Sequence, residues 1–273
     1  TSFIAAQGAV AGVQLAHAGR KGSTQVPWIG RDAVPEAEGG WPVQAPSALQ
    51  FSPRNAMPRA MSEADIAAAI AQFANAAGQA VAAGFRYIEL HLAHGYLAHQ
   101  FMSPLTNRRT DDWGGSFDHR VRFAREVVRA VRGAVPDDLP VAARLSMTDW
   151  VEGGWSVDDA VRLASLLRED GLDLVVCSTG AIVPGAQPPQ GPGMQIPMAD
   201  RVRREAGIAT GAVGAITQPQ QAEAIIAEGT ADIAFLARAM LRAPNWAVHA
   251  AEALGQEAPW PAPYARAVAK RRP

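Results

Sequence analysis

Residues 62–92 read SEADIAAAIAQFANAAGQAVAAGFRYIELHL, and this stretch decides the fold. Ser62 with Asp65 three residues on is a capping box, which satisfies orphan N–H groups at a helix start. Beyond it, Ile66, Ile70, Phe73, Ala77 and Val81 recur at helical spacing, while Gln72, Asn75 and Gln79 form the opposite, polar stripe. The segment 66–85 is the most membrane-like in the chain, yet its stripe predicts an amphipathic helix and not a span. A β-rich run, Tyr87 to Leu92, follows directly. Helix and then strand is the repeating half of an α/β fold.

The alternation continues outward in both directions. Upstream, Val13 to Ala16 reads as a strand after a glycine-rich entry at Gly8 and Gly12. Downstream, Ser116 and Asp118 introduce a helix with Phe123, Val127, Val128 and Val131 on one face. Then come a strand at Val141 to Ser146 and a helix capped by Ser156 with Asp159 at the box position. Leu172 to Cys177 reads as a strand, Met198 to Glu205 as a short helix and Ile208 to Val213 as a strand. Gln218 to Glu228 is expected to be helical, Ile233 to Leu236 the last strand, and two helices close the fold near Arg238 to Leu241 and Pro244 to Leu254. Six strands, each followed by helical sequence, point to a (β/α) barrel, of which a closed example needs eight. Two units are therefore either hidden between Gly19 and about Arg59 or absent ahead of the first strand. That stretch is rich in Pro, Gly and Trp, and its length argues for a functional or interface loop.

Composition excludes several classes. The 273 residues are 48% apolar with a formal net charge of −1, so the chain is globular and has no field to hold a polyanion. Nucleic acid and membrane are not expected partners. One cysteine, Cys177, allows neither an internal disulfide nor a thiol zinc cluster, so the chain reads as reduced and is expected in the cytoplasm.

The densest polar cluster is ELHLAHGYLAHQF, Glu89 to Phe101. His91, His94 and Tyr96 fall at the C-terminal end of a strand, where α/β barrels place their active sites. Two imidazoles can donate hydrogen bonds to a carbonyl oxygen, and a tyrosine still holds a proton to give near neutrality. Two other readings stand beside this. His91 and His94 can be half of a metal site, with His99, His17 or Glu89 as third ligand. Alternatively, the histidines are buried groups satisfied by backbone.

Other positions carry weaker signals. Gln14 and His17 end the first strand; a Gln amide can read the edge of a heterocycle or anchor a loop. Arg144 lies inside a strand, where its charge must meet a ligand or an ion-pair partner. TGAVGAI places Gly211 and Gly214 after the penultimate strand, and FLARAML places Ala237 and Arg238 after the last. Loops at those two positions form the common phosphate site of such barrels.

The segments VQLAHAGRKG, HLAHGYLAHQFMSPLTNRRTDDWGGSFDHRVRF, ARLSMTDWVEGGWS, RVRREAGIATGAVGAIT and ADIAFLARAML resemble the Old Yellow Enzyme family of FMN-dependent ene-reductases, its bacterial thermophilic-like branch above all. The match runs in the family's order over nearly the whole chain. It implies a TIM (β/α)8-type barrel, incomplete here, with strands three to eight. Residues 1–243 would be the FMN-binding barrel and 244–273 a C-terminal helix and tail at a subunit contact. By position, Gln14 would bond the flavin's pyrimidine edge and Arg144 would lie beside it. Gly214, Ala237 and Arg238 would bind its phosphate, His91 and His94 would hold the substrate carbonyl, and Tyr96 would donate the proton. Cys177 aligns with a barrel strand and reads as a small core residue.

The resemblance further implies NADPH or NADH as reductant, an enone-type small molecule as substrate, and a homodimer or homotetramer. In that assembly Arg266, within PAPYARAVAKRR, would enter a neighbour's site; a solvated tail residue is the alternative. The family carries two more βα units ahead of the part matching GAVAGVQLAHAGR, including the strand beneath the flavin's reactive face. An inactive or complementing fragment, and a metal-dependent barrel lyase, are the competing functions.

Overall fold

The computed structural model describes residues 1–264 and 266. A one-turn helix α1 (Ser2–Ala6) precedes β1 (Gly12–Leu15). Two two-residue strands follow in the long loop, β2 (Gln44–Ala45) and β3 (Arg59–Ala60). Then come α2 (Glu63–Ala82), β4 (Tyr87–Leu92), α3 (Leu97–Met102), α4 (Phe117–Arg132) and β5 (Val141–Ser146). The remainder is α5 (Val157–Glu169), β6 (Leu174–Ser178), α6 (Ile196–Ala206), β7 (Ala209–Val213), α7 (Pro219–Ala227), β8 (Ile233–Phe235), α8 (Arg238–Arg242) and α9 (Trp246–Ala253).

Six strands form one parallel sheet in the order β1-β4-β5-β6-β7-β8, which is also their order along the chain. That is the winding of a (β/α) barrel, and β1 and β8 are its two edges. Gly19 to Arg59 hides no barrel unit: its regular structure is two 3-10 turns, an isolated antiparallel bridge between Thr24 and Ala33, and β2 paired with β3. Of the two explanations for the short strand count, that one is excluded.

Both capping boxes form. Ser62 accepts from the Asp65 N–H at the start of α2, and Ser156 accepts from the Asp159 N–H at the start of α5. On α2 the buried face carries Ile66, Phe73 and Ala77 with Ala69 and Ala80, while Gln72, Asn75 and Gln79 are exposed. No helix among the described residues is long and apolar enough to cross a membrane.

Strand side chains alternate between faces. Ile88, Leu90 and Leu92 point outward into the main core, which α2, α4, α5 and α6 cover. The inner face carries a smaller apolar cluster of Ala142, Leu174 and Val176, with Tyr87, Ala209, Val213 and Phe235 packed against it. Gly211 sits inside β7, not after it as the sequence reading had it, and a Cβ there would collide with the Phe235 ring on β8. Above this floor, Glu89, His91, Arg144, Ser146 and Ser178 complete the inner face toward the strands' C-terminal ends.

The long loop is anchored by buried Arg20. Its guanidinium donates to the carbonyls of Leu49 at 3.0 Å and of Ile182 at 2.7 Å, tying the loop to the turn after β6.

Candidate active site

The sequence places His91 near the end of β4 and His94 and Tyr96 on the turn that follows, and the structure gathers all three. The His91 and His94 rings meet edge to face with centroids 4.9 Å apart, and His91 and Tyr96 do so at 5.1 Å. The turn is tight: His94 has φ +58° and Gly95 φ +72°, and a Cβ on Gly95 would fall 2.4 Å from the Ala181 carbonyl oxygen. That close approach requires glycine.

Burial first, then the Arg144 charge, pushes His91 down to about 4. Burial, then the neighbouring His91, pushes His94 down to about 3. Both rings are therefore neutral at physiological pH, each with one N–H to donate. His94 Nε2 lies 2.7 Å from Ser178 Oγ, and the His94 N–H donates to Ser146 Oγ at 3.0 Å. Nδ1 of His91 is buried and has no hydrogen-bond partner among the described residues. The ring thus presents an unsatisfied polar atom inside the site.

Beneath the histidines, Glu89 collects three side chains. Arg144 Nε donates to Glu89 Oε1 at 2.8 Å, the Gln14 amide donates to the same oxygen, and the Tyr87 hydroxyl donates to Oε2 at 3.2 Å. Arg144 also lies over the Phe235 ring at 5.6 Å. Arg144 thus has an ion-pair partner in Glu89, and among the described residues it is met through Nε, one of the five N–H donors of the guanidinium. Gly214, Ala237 and Arg238 come together at the far side of the sheet, lining one cavity of about 230 Å³ with Val213, Phe235 and Arg242. Arg266 is exposed and stands in a turn.

Several groups were missed by sequence reasoning. Lys21 donates from Nζ to the His94 carbonyl at 2.9 Å and lies 5.1 Å from the Tyr96 ring centroid. Burial, then the Arg20 charge, lowers this amine to about 8. Ser146 and Ser178 are directly paired in register. Period-two counting from Arg144 and Val176 would have brought both to the inner face. The three candidate third metal ligands are engaged elsewhere: His17 Nδ1 accepts from the Gly19 N–H, Glu89 holds Arg144, and His99 faces Asp149. Among the described residues no group of three or more His, Cys, Asp or Glu is placed to hold a metal ion.

A model of the NADH:flavin oxidoreductase / NADH oxidase family matches residues 1–257. The chain belongs to that family. It is 46% identical over 254 residues to an NADPH dehydrogenase of Geobacillus sp. (strain WCH70), covering 93% of this chain and 69% of the relative. An NADPH dehydrogenase of Listeria innocua is 42% identical over 260 residues, covering 95% and 72%. Among solved structures, a 2-naphthoyl-CoA reductase complex superposes with a TM-score of 0.78 at 29% identity, over 93% of this chain and 39% of that one. Morphinone reductase gives 0.72 at 26% identity, over 96% and 70%. An old yellow enzyme homologue from Zymomonas mobilis shares the fold, with a TM-score of 0.67 at 22% identity over 85% and 64%. The family thus accounts for the order of the six strands: they are the greater part of a TIM barrel whose relatives are longer.

Proposed function

We propose that the protein acts as an FMN-dependent NAD(P)H oxidoreductase that reduces the activated C=C bond of α,β-unsaturated carbonyl compounds. The observation that carries this reading is the grouping of two neutral imidazoles and one phenol at the mouth of the sheet. Neutral N–H donors in a half-buried site polarise a carbonyl without a proton having to be displaced first. The names of the NADPH dehydrogenases at more than 40% identity support the reductant.

The residues present fit a flavin. The orphaned Nδ1 of His91 calls for a polar partner in the site. Gln14 and Arg144 offer an amide and a guanidinium on one side, and Gly214, Ala237 and Arg238 line a separate cavity suited to a phosphate. In this reading Gln14 and Arg144 would hold the ring's polar edge, and Arg238 with the backbone of Gly214 and Ala237 would hold the phosphate. When bound, the flavin supplies the hydride.

The chain's own residues do the rest. His91 and His94 donate to the carbonyl oxygen of the enone and stabilise the negative charge that develops there. Tyr96 Oη gives its proton to the α-carbon. Lys21, a cation beside the Tyr96 ring, stabilises the phenolate left behind. The same reading places the protein in the cytoplasm as a homodimer or homotetramer. Its barrel would be 1–243, with 244–273 at a subunit contact that presents Arg266 to a neighbour.

The test is a visible spectrum of the purified 273-residue chain titrated with FMN. A bound-flavin band that bleaches with NADPH and returns with cyclohexenone is the expected result. A folded chain that binds no flavin overturns the reading for this chain. Bound metal at stoichiometric level in place of flavin would favour the lyase instead.

A further inference from the structure

All four backbone polar groups of His94 and Gly95 are held by side chains. The His94 N–H donates to Ser146 Oγ at 3.0 Å, and its carbonyl accepts from Lys21 Nζ at 2.9 Å. The Gly95 N–H donates to His99 Nδ1 at 2.9 Å, and its carbonyl accepts from Gln100 Nε2 at 2.7 Å. A turn with two consecutive positive φ values is costly for the non-glycine residue, and such strain persists only where the surroundings over-determine it.

His99 is fully buried, and its tautomer follows from its partners. Because Nδ1 accepts from the Gly95 N–H, the ring proton sits on Nε2. That atom faces Asp149 Oδ1 at 2.8 Å, at an angle bent from a linear hydrogen bond, with neither side chain exposed. The other carboxylate oxygen of Asp149 accepts from Ser103 Oγ at 2.6 Å and from the Trp155 N–H at 2.7 Å. Burial would push this carboxyl up, but the His99, Ser103 and Trp155 contacts hold it below the usual carboxylate range. A carboxylate fixed this firmly can dictate which imidazole nitrogen carries the proton.

We infer that His99, oriented by Asp149, is a positioning residue: it holds the Gly95 N–H so that His94 and Tyr96 project together into the site. The inference rests on the proposed roles of His94 and Tyr96, and adds a residue that touches neither substrate nor cofactor. His99 lies on α3 and Asp149 in the segment after β5, so the pair also locks two barrel loops into one register.

The test is residue-resolved amide exchange by NMR on the full chain, with alkene turnover measured on the same samples. In His99→Gln the acceptor at Nδ1 is gone, and Gly95 amide exchange should rise at least tenfold while the β4 amides keep their protection. His99→Asn puts a carbonyl oxygen near the Nδ1 position and should restore most of that protection. Asp149→Asn is nearly isosteric, so it serves where the His99 variants fail to fold. It should move the His99 ring proton from Nε2 to Nδ1, visible in the ring 15N shifts, and also free the Gly95 amide. Unchanged Gly95 exchange in His99→Gln, or loss spread evenly over β4 and α3, overturns the inference. Gly95 exchange that changes as expected with alkene turnover untouched leaves the positioning intact and sinks the roles given to His94 and Tyr96.

Discussion

Arg144 Nε donates to Glu89 Oε1 at 2.8 Å across two neighbouring strands, with only 18% and 5% of the two side chains exposed. On an inner face otherwise floored by Ala142, Leu174 and Val176, this pair is the principal charge. Removing one partner of such a pair strands the other in a low-dielectric setting, a loss of about 3 kcal/mol. Glu89→Gln is therefore expected to lower the urea midpoint clearly, and Arg144→Met combined with it to recover part of the loss. Strictly additive losses in the double variant would show that the two groups are not coupled.

Tyr96→Phe should leave flavin reduction by NADPH nearly unchanged and slow the alkene half-reaction by about 10²- to 10⁴-fold, the usual contribution of a positioned general acid. Stopped-flow measurement of the two half-reactions separates them. Equal losses in both would place Tyr96 outside proton transfer.

The neutral histidines have a pH consequence. His91 and His94 are pushed to about 4 and about 3 in the folded chain, below the ordinary value of 6.5 that they regain on unfolding. Between those limits the unfolded chain binds more protons, so the stability these rings contribute is fully present above pH 6.5 and is lost as pH falls toward 4. The urea midpoint should drop between pH 6.5 and 5, before most carboxylates titrate, and His91→Gln should flatten that slope. An identical slope in the variant would mean that His91 is not held neutral. For the same reason, the alkene half-reaction should show no inflection near pH 6.5.

Much of this was legible in the sequence because local rules and global fold agree. Both capping boxes, the stripe on α2 and the β4 and β5 strands fall where periodicity puts them. Helix α3 was missed: LAHQFM is buried on every side and has no polar stripe to betray it. His91, His94 and Tyr96 were legible as a cluster because six residues of chain carry all three. Lys21, Ser178 and Asp149 were not read as partners, since each meets the site from a different barrel unit, and Glu89, read as a possible metal ligand on the same strand as His91, was not matched to Arg144 on the neighbouring strand. Only the register of the sheet and the folding back of the long loop bring them there. The roles drawn from family resemblance stand as proposals beside this geometry.

The last prediction separates fold from ligand binding at the cavity beyond β7 and β8. Gly214 has φ +125°, a conformation that L side chains rarely adopt, and a Cβ there would stand 3.1 Å from the Gln195 side chain. Gly214→Ala should therefore destabilise the chain by more than about 1 kcal/mol through backbone strain, and weaken FMN binding with it. Arg238 is exposed, so Arg238→Ala should leave the urea midpoint within about 0.5 kcal/mol of the parent's stability. Its effect should fall on affinity: loss of a charge-assisted contact to phosphate, worth about 1.5–3 kcal/mol, weakens FMN binding roughly tenfold or more. Riboflavin, which has no phosphate, should bind both the parent and Arg238→Ala with equal affinity. Equal weakening of FMN and riboflavin would show that Arg238 acts on the ring or on the fold, and the phosphate assignment would fall.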